Sequence, residues 1–520
     1  MYLNRKFSLI SMLSLSLLFY NVNKASASNN VDMHISQVDK LVILKENSVH
    51  KIPNFFLTEL AHIKKFNFSV EEKMRMQLQN YFRNKGYKLT TVKLKKYSNT
   101  LEYDINIPKY SKVNIKAGNL SLLGKKLYEM KAGDDINIDN IYNANVIANS
   151  LPGVHADTVL SPGLYKDTSN LDISLNNLGY FQGSSLSFDN YGQPYTGELR
   201  LNGTLNVNNL FHNGDNFNIT ATSSLGFNTG TINYSQLLDS RGDKGSIYYN
   251  AYNYTIGEGI SPFNYAANKN VLSALGFSGY GQSFGTNFLI PVYTGYNNKI
   301  SAKLGYSMYI LSDTYNVSQG IVDDRYLQAM DAELDGTSTF SGGANVLQYI
   351  FAYMPFFDTV TSNTNPLSGI GGFHNMWHLS SNYTQVLPGV GNSLYLEGFG
   401  QLATGNIDPT QQYLLGGETN VRAYPTAIFF GNSGYLGTTE LRHAIQYNWG
   451  VMQPYASFDV GGAYTTGETL TLMGPGVGVS AATHNGWNAK FEINAPIGNI
   501  PGVIGSVSPL QGWVSVGKTF

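Results

Sequence analysis

From residue 178 onward, apolar and polar residues alternate with period two, and this pattern limits the possible folds more than any other feature of the chain. In "GELRLNGTLNV", Leu199, Leu201, Gly203, Leu205 and Val207 share one face of a strand, and Glu198, Arg200, Asn202, Thr204 and Asn206 share the other. "WNAKFEINA" sets Trp487, Ala489, Phe491 and Ile493 against Asn488, Lys490, Glu492 and Asn494. Turn clusters such as "NNLFHNGDN" and "DSRGDKGS" separate the runs. The pattern suits an antiparallel sandwich with its apolar face inward, or a membrane barrel with that face outward.

Three features favour the barrel. The N-terminus reads as a secretory signal: Arg5 and Lys6, then an apolar stretch from Phe7 to Tyr20, then Ala25-Ser26-Ala27, with cleavage expected after Ala27. The apolar stretch is too short for a spanning helix, and no later continuous apolar run reaches spanning length, so insertion must be by strands. The residues expected on the lumen side read as polar throughout. In lipid every backbone N–H and C=O needs a partner, so the strands must close into a ring. Residues 178–520, at roughly 20 residues per strand and connection, give about 16 strands, wide enough for an aqueous channel. In the last strand, "WVSVGKTF", Val514, Val516 and Phe520 face outward and Lys518 interrupts them, snorkelling to the interface. Phe520 is the residue that barrel-assembly machinery would read.

Charged residues make up 13% of the chain, aromatics another 13%, and Gly numbers 54, which excludes a disordered chain. With no cysteine there is no disulfide framework, thiolate metal site or Cys nucleophile. Residues 51–110 carry 12 Lys and Arg against 5 Asp and Glu, whereas 178–520 carry 11 against 20. The basic stretch is either a solvated surface or an electrostatic landing site for a partner.

Ahead of the strands, two stretches repeat one order: strand, helix, helix, strand, strand. In 39–107, Leu41–Leu44 is a strand and Phe55–Ile63 a weak helix. A capping box of Ser69 and Glu72 opens a second helix with an apolar stripe of Val70, Met74, Leu78 and Phe82. Gly86 stops that helix, and strands follow near Lys88–Leu94 and Leu101–Ile107. In 110–176, Val113–Ile115 is a strand, Leu122–Met130 and 136–153 are helices, and His155–Leu160 and Leu171–Leu175 are strands. Modules this small leave a sheet edge open to accept another strand.

No chemistry is apparent. There is no G-x-x-x-x-G-K-[ST] and no H-E-x-x-H. His374 and His378 in "HNMWH" lack a neighbouring carboxylate base and read as loop residues. "GPGVGVS" (474–480) reads as a turn entering a strand. No Ser/His or Asp/His set assembles, so the expectation is no enzyme, no cofactor, no metal and no nucleic-acid partner.

Several stretches resemble the TpsB transporters of two-partner secretion, the hemolysin and hemagglutinin secretion or activation proteins. "DNYGQPYTGELRLNGTLNVNNLFHNGD" (189–215) is similar to that family's first barrel strands, and "LPGVHADTVLSPG" (151–163) to the end of its second periplasmic module. "LGGETNVRAY" (415–424) resembles its V-R-G-Y motif and "FDVG" (458–461) its F-x-x-G motif. The resemblance covers 39–520 and implies a mainly β fold: a 16-stranded transmembrane antiparallel barrel behind two periplasmic α+β POTRA domains. The implied divisions are a signal peptide at 1–27, a short segment at 28–38 with no plug helix, POTRA domains at 39–108 and 109–177, and a barrel at 178–520. A loop around 410–432 would fold back into the pore.

The resemblance also implies the site. Gly416, Gly417, Val421, Arg422 and Tyr424 form the pore-loop motif, and Arg422 pairs with Asp459, which lies between Phe458 and Gly461. Alternation in "YASFDVGG" agrees, since it turns Tyr455, Ser457, Asp459 and Gly461 to the lumen and Ala456, Phe458 and Val460 to lipid. Gly416 and Gly417 would allow a tight turn. Ala423 stands where the family has glycine, and a positive φ there would strain the tip. The implied partners are a secreted TpsA-type exoprotein, outer-membrane lipid and lipopolysaccharide, and the barrel-assembly machinery, with a monomeric pore. The implied function is ATP-independent passage of a large exoprotein to the cell surface. A barrel-assembly factor and a passive porin are the alternatives.

Overall fold

The computed structural model describes residues 41–46, 56, 67–97, 100–257, 277–315, 321–361, 370–498 and 507–520. The signal segment, its cleavage after Ala27, the segment 28–38 and most of the expected Phe55–Ile63 helix lie outside these residues. The chain divides into two compact units, Met1–Pro108 and Lys109–Phe520.

In the first unit, β1 (Leu41–Glu46) runs parallel to β3 (Thr100–Asn106), and β2 (Thr91–Lys96) pairs antiparallel with β3 on its other side. Helix α1 (Phe68–Asn84) buries Met74, Leu78 and Phe82 in a core with Val92, Leu101, Tyr103 and Ile105. Phe56 is buried edge-to-face against Tyr103 at 5.9 Å. The helix begins earlier than the capping-box reading placed it. Asn67 is the N-cap, its side chain accepting from Val70 N at 3.0 Å, and Glu72 instead pairs with Arg75. An Asx residue two positions upstream satisfies the first-turn donors and frees Glu72 for an i,i+3 ion pair.

The second unit opens in the order expected from its sequence: β4 (Lys109–Lys116), α2 (Ser121–Leu127), α3 (Ile138–Asn149), β5 (Val154–Pro162) and β6 (Thr168–Asn177). The sheet order is β4-β6-β5, with β4 and β6 parallel. Asn137 caps α3, accepting from Asn140 N at 3.1 Å, so the helix starts two residues later than expected. Leu123, Leu127, Ile141, Ala148, Leu171 and Ile173 form the core.

The barrel follows as β7 (Ser185–Asp189), β8 (Arg200–Asn208), β9 (Asn216–Ser223), β10 (Phe227–Leu237), β11 (Lys244–Thr255), β12 (Phe277–Thr294), β13 (Asn298–Tyr315), β14 (Ile321–Phe340), β15 (Asn345–Val360), β16 (Gly372–Val386) and β17 (Asn392–Ala403). A long loop contains the small hairpin β18 (Tyr413–Leu415) and β19 (Phe429–Gly431). Then come β20 (Ser433–His443), continued past Ala444 by β21 (Ile445–Tyr447), β22 (Gly450–Thr465), β23 (Glu468–Thr483), β24 (Trp487–Asn494) and β25 (Gln511–Thr519). Counting β20 and β21 as one strand, the ring has 16 antiparallel strands and is closed by β25 on β7, from Ser515↔Asp189 to Thr519↔Ser185. Phe520 extends the seam, its N–H donating to Ser184 O at 2.8 Å and its carbonyl accepting from Gly183 N at 3.0 Å.

Closure rules out the sandwich. Leu201, Phe284, Phe288, Phe491, Val514 and Val516 are exposed on the outer face, which only lipid can cover. Lys518 Nζ lies over the Trp487 ring at 5.2 Å, a cation resting on interface aromatics.

The small module and the barrel interlock. Leu237, the last residue of β10, is buried in the module core, and Lys126 Nζ donates to Leu237 O and Leu238 O, both at 3.0 Å.

Three sequence expectations are corrected. His374 and His378 lie inside β16, not in a loop. His374 is bound by the carbonyls of Ile370 and Thr404, and His378 by Gln401 Oε1. "GPGVGVS" lies within β23, not at a turn, because its glycines clear room for side chains across the ladder. The lumen is not polar throughout, since Leu436, Leu470 and Leu472 on one wall, and Leu327, Phe356 and Met376 on another, turn apolar side chains inward. They are apolar because the loop between β17 and β20 folds down and covers them.

Candidate functional site

The loop enters through Asp408, which caps the turn Pro409–Gln411 by accepting from Thr410 N at 2.8 Å. After β18 the chain reverses at Gly416 and Gly417, with φ of 91° and 113°. Asn420 organises the tip. Its Nδ2 donates to the Tyr413 hydroxyl at 2.7 Å and to Leu414 O at 3.1 Å, and its Oδ1 accepts from Val421 N at 2.9 Å. Ala423 is not in the left-handed region, so alanine is unstrained there. The non-glycine residue of the loop with positive φ is Ala427, at 52°.

Val421 and Ala423 are fully buried among Leu415, Leu436, Ala463, Leu470 and Leu472, and Tyr424 joins the same cluster. Two barrel glycines make room for them. A Cβ on Gly461 would lie 2.8 Å from Val421 Cγ2, and one on Gly474 would lie 2.4 Å from Ala423 Cβ. The tip therefore seats in a notch cut into β22 and β23. Phe458, on the outer face of β22, is exposed.

Between Val421 and Ala423, Arg422 is 4% exposed. Its Nε and Nη2 fork onto Asp459 Oδ2 and Oδ1 at 2.8 and 2.7 Å, and its backbone N donates to Oδ2 at 3.1 Å. Nη1 donates to Glu440 Oε1 at 2.5 Å and lies 3.5 Å from Glu492 Oε2. The Arg422 carbonyl accepts from Trp513 Nε1 at 2.8 Å. One residue of the loop is thus bound to β20, β22, β24 and β25.

Each carboxylate has further partners. Thr438 Oγ1 donates to Asp459 at 2.9 Å, Arg442 Nε to Glu440 at 2.6 Å, and the Tyr455 hydroxyl to Glu492. Lys490 Nζ bridges Glu492 at 3.2 Å and the loop's own Glu418 at 2.5 Å. Three cations therefore face four carboxylates in a nearly balanced network that can hold the loop without leaving a large buried charge.

The structure places Arg422 against Asp459, as the resemblance implied, and Gly416, Gly417, Val421 and Tyr424 in the seat. Sequence reasoning did not single out Glu440, Glu492, Lys490, Asn420, Gly474 or Trp513. Strand alternation already turned Lys490 and Glu492 inward. Only the contacts of Arg422 reveal that Glu492, with Lys490 beside it, meets the same guanidinium as Asp459.

A family model described as haemolysin secretion/activation protein ShlB/FhaC/HecB matches residues 167–481. The heme/hemopexin transporter protein HuxB of Haemophilus influenzae is 23% identical over 89% of this chain and 84% of its own. Among solved structures, CdiB from Escherichia coli superposes with a TM-score of 0.74 at 16% identity, covering 96% of this chain and 93% of that one. CdiB from Acinetobacter baumannii gives 0.72 at 16% identity, covering 95% and 93%. BamA from Haemophilus ducreyi lacking POTRA domains 1–3 gives 0.52 at 11% identity, covering 94% of this chain and 100% of its own, a likeness of fold alone.

Proposed function

The chain belongs to the haemolysin secretion/activation protein family ShlB/FhaC/HecB, and from that premise we propose that the Arg422 cluster holds the inward loop in the position from which the pore operates. The protein is an integral outer-membrane transporter of the two-partner type, with its POTRA domains in the periplasm, and it carries a partner exoprotein to the cell surface. The observation that carries the proposal is the attachment of Arg422 to four barrel strands through Asp459, Glu440, Glu492 and Trp513. A loop bound only at its two ends would not occupy the lumen so firmly.

The exoprotein, we infer, arrives unfolded, pairs with the open edges of modules 39–108 and 109–177, and folds outside, which gives direction without ATP. The basic surface of the first module would speed its capture. On this reading the signal is cut after Ala27, Phe520 serves assembly by the barrel machinery, and one barrel in lipid and lipopolysaccharide makes one pore. No catalytic step and no cofactor enters.

The test is to delete the gene and restore it with either the parental chain or Arg422→Ala. One exoprotein should vanish from the medium on deletion and return only with the parental chain, while both chains insert as folded barrels. Loss of many outer-membrane proteins would instead identify an assembly factor. Normal secretion by Arg422→Ala would remove the proposed role of the loop lock.

A further inference from the structure

The entry of the same loop meets a second buried arginine of a different kind. Arg325 on β14 is 1% exposed. Its Nε donates to Asp408 Oδ2 on the loop at 2.7 Å and its Nη1 to Asp313 Oδ2 on β13 at 2.8 Å. Asp313 also accepts from the Tyr254 hydroxyl at 2.7 Å. Two more carboxylates stand beside them. Asp323 is fully buried, and its carboxylate has Arg325 Nη1 at 3.5 Å as an ion-pair partner but no well-formed hydrogen bond. Asp358 on β15 is 1% exposed, and neither of its oxygens has a partner. Its electrostatic neighbours are Asp408, Arg325, His374 and Asp323.

Both His374 ring nitrogens face carbonyl oxygens, those of Ile370 and Thr404, so His374 gives Asp358 no hydrogen bond. Ile407 of the loop seals the cluster against Leu327, Phe356 and Met376. Among the described residues no acidic group converges on a metal-binding point. The carboxylates surround the guanidinium instead.

Four carboxylates thus share one guanidinium, whereas at Arg422 the charges nearly balance. A buried carboxylate without a partner is costly, and a guanidinium has five N–H donors, of which Nη2 is unused here. Withdrawing the loop takes Asp408 away, lowers the excess negative charge and frees Arg325 for Asp358 and Asp323. We propose that Arg325 is a transfer post for the loop base. It holds Asp408 while the loop is seated and passes to Asp358 and Asp323 when the loop withdraws, which keeps withdrawal reversible. This rests on the proposed role of the Arg422 cluster in seating the loop, the position from which the loop base withdraws and to which it returns.

The test uses the full-length protein in planar bilayers, scoring the fraction of time in the high-conductance state, with Asp408→Asn, Asp358→Asn and Arg422→Ala. Asp408→Asn should raise that fraction about tenfold, the ratio set by one charge-assisted hydrogen bond. Asp358→Asn should lower it, because the waiting acceptor is lost. Opposite signs are the signature, since a merely structural role would move both variants the same way. Equal signs, or no change in either variant, overturn the transfer. If Arg422→Ala also leaves the open fraction unchanged, the underlying reading of the loop fails as well. If it opens the pore while the two Asn variants do not respond, only the transfer fails.

Discussion

Arg422→Ala should unseat the loop tip, and the structure sets the size of the effect. Glu440 keeps Arg442, and Glu492 keeps Lys490 and Tyr455, so neither is stranded. Asp459 loses its forked cation and retains only Thr438 Oγ1 and the Arg422 backbone N–H. Breaking a buried ion pair costs about 3–5 kcal/mol, and these two remaining donors place the loss near the lower end, ~3 kcal/mol. That lowers the ratio of seated to displaced loop by about a hundredfold. Arg422→Lys keeps the charge but cannot fork, so it should fall between, at about tenfold. Because the chain has no cysteine, Val421→Cys gives a single thiol at a fully buried position whose labelling by an impermeant maleimide reports displacement. Labelling should rise from Arg422 to Lys to Ala, with heat-modifiable migration showing an intact barrel in each. A folded Arg422→Ala barrel that labels as slowly as the parent refutes the reasoning, for the tip would then be held by packing alone.

Other outcomes follow from the same contacts. Gly474→Val puts a side chain where Ala423 and the Ala495 carbonyl already lie at 2.4 Å, so it should unseat the tip and cut secretion while the barrel still folds, as heat-modifiability would show. Trp513→Phe keeps an aromatic edge toward Tyr191 but strands the Arg422 carbonyl, and should speed Val421→Cys labelling about tenfold, one hydrogen bond's worth. Leu237→Ala leaves a hole in the module core, and at about 2–5 kcal/mol should raise protease sensitivity of residues 109–177 while the barrel resists.

Much of the fold was legible because strand alternation is a local signal. Leu199 to Val207 and Trp487 to Ile493 display it directly, and export together with the lack of a spanning apolar run turned the apolar face to lipid. Where the reading failed, distant contacts decided. "GPGVGVS" has the composition of a turn, but Gly474 and Gly478 are small because Ala423 and Tyr455 need the space. Leu436 and Leu472 break the polar lumen rule because a loop covers them. Ser69 and Glu72 make a sound capping box, yet Asn67 lies two residues ahead and takes the first-turn donor. Arg422 and Asp459 could be paired only through resemblance, since nothing local marks residues 37 positions apart as neighbours. Arg325 gave no signal at all, because its importance lies in four aspartates brought together by three strands and the loop.

Leu237 belongs to two structures at once, ending a barrel strand and plugging the interior of the module before it. The module therefore cannot complete its own interior from residues 109–177. Leu237 comes from a strand whose position is set by its ladder with β9 and β11. Closing the barrel strand and filling the module core are thus coupled at one residue, and whatever displaces the end of β10 also opens the interior of the module.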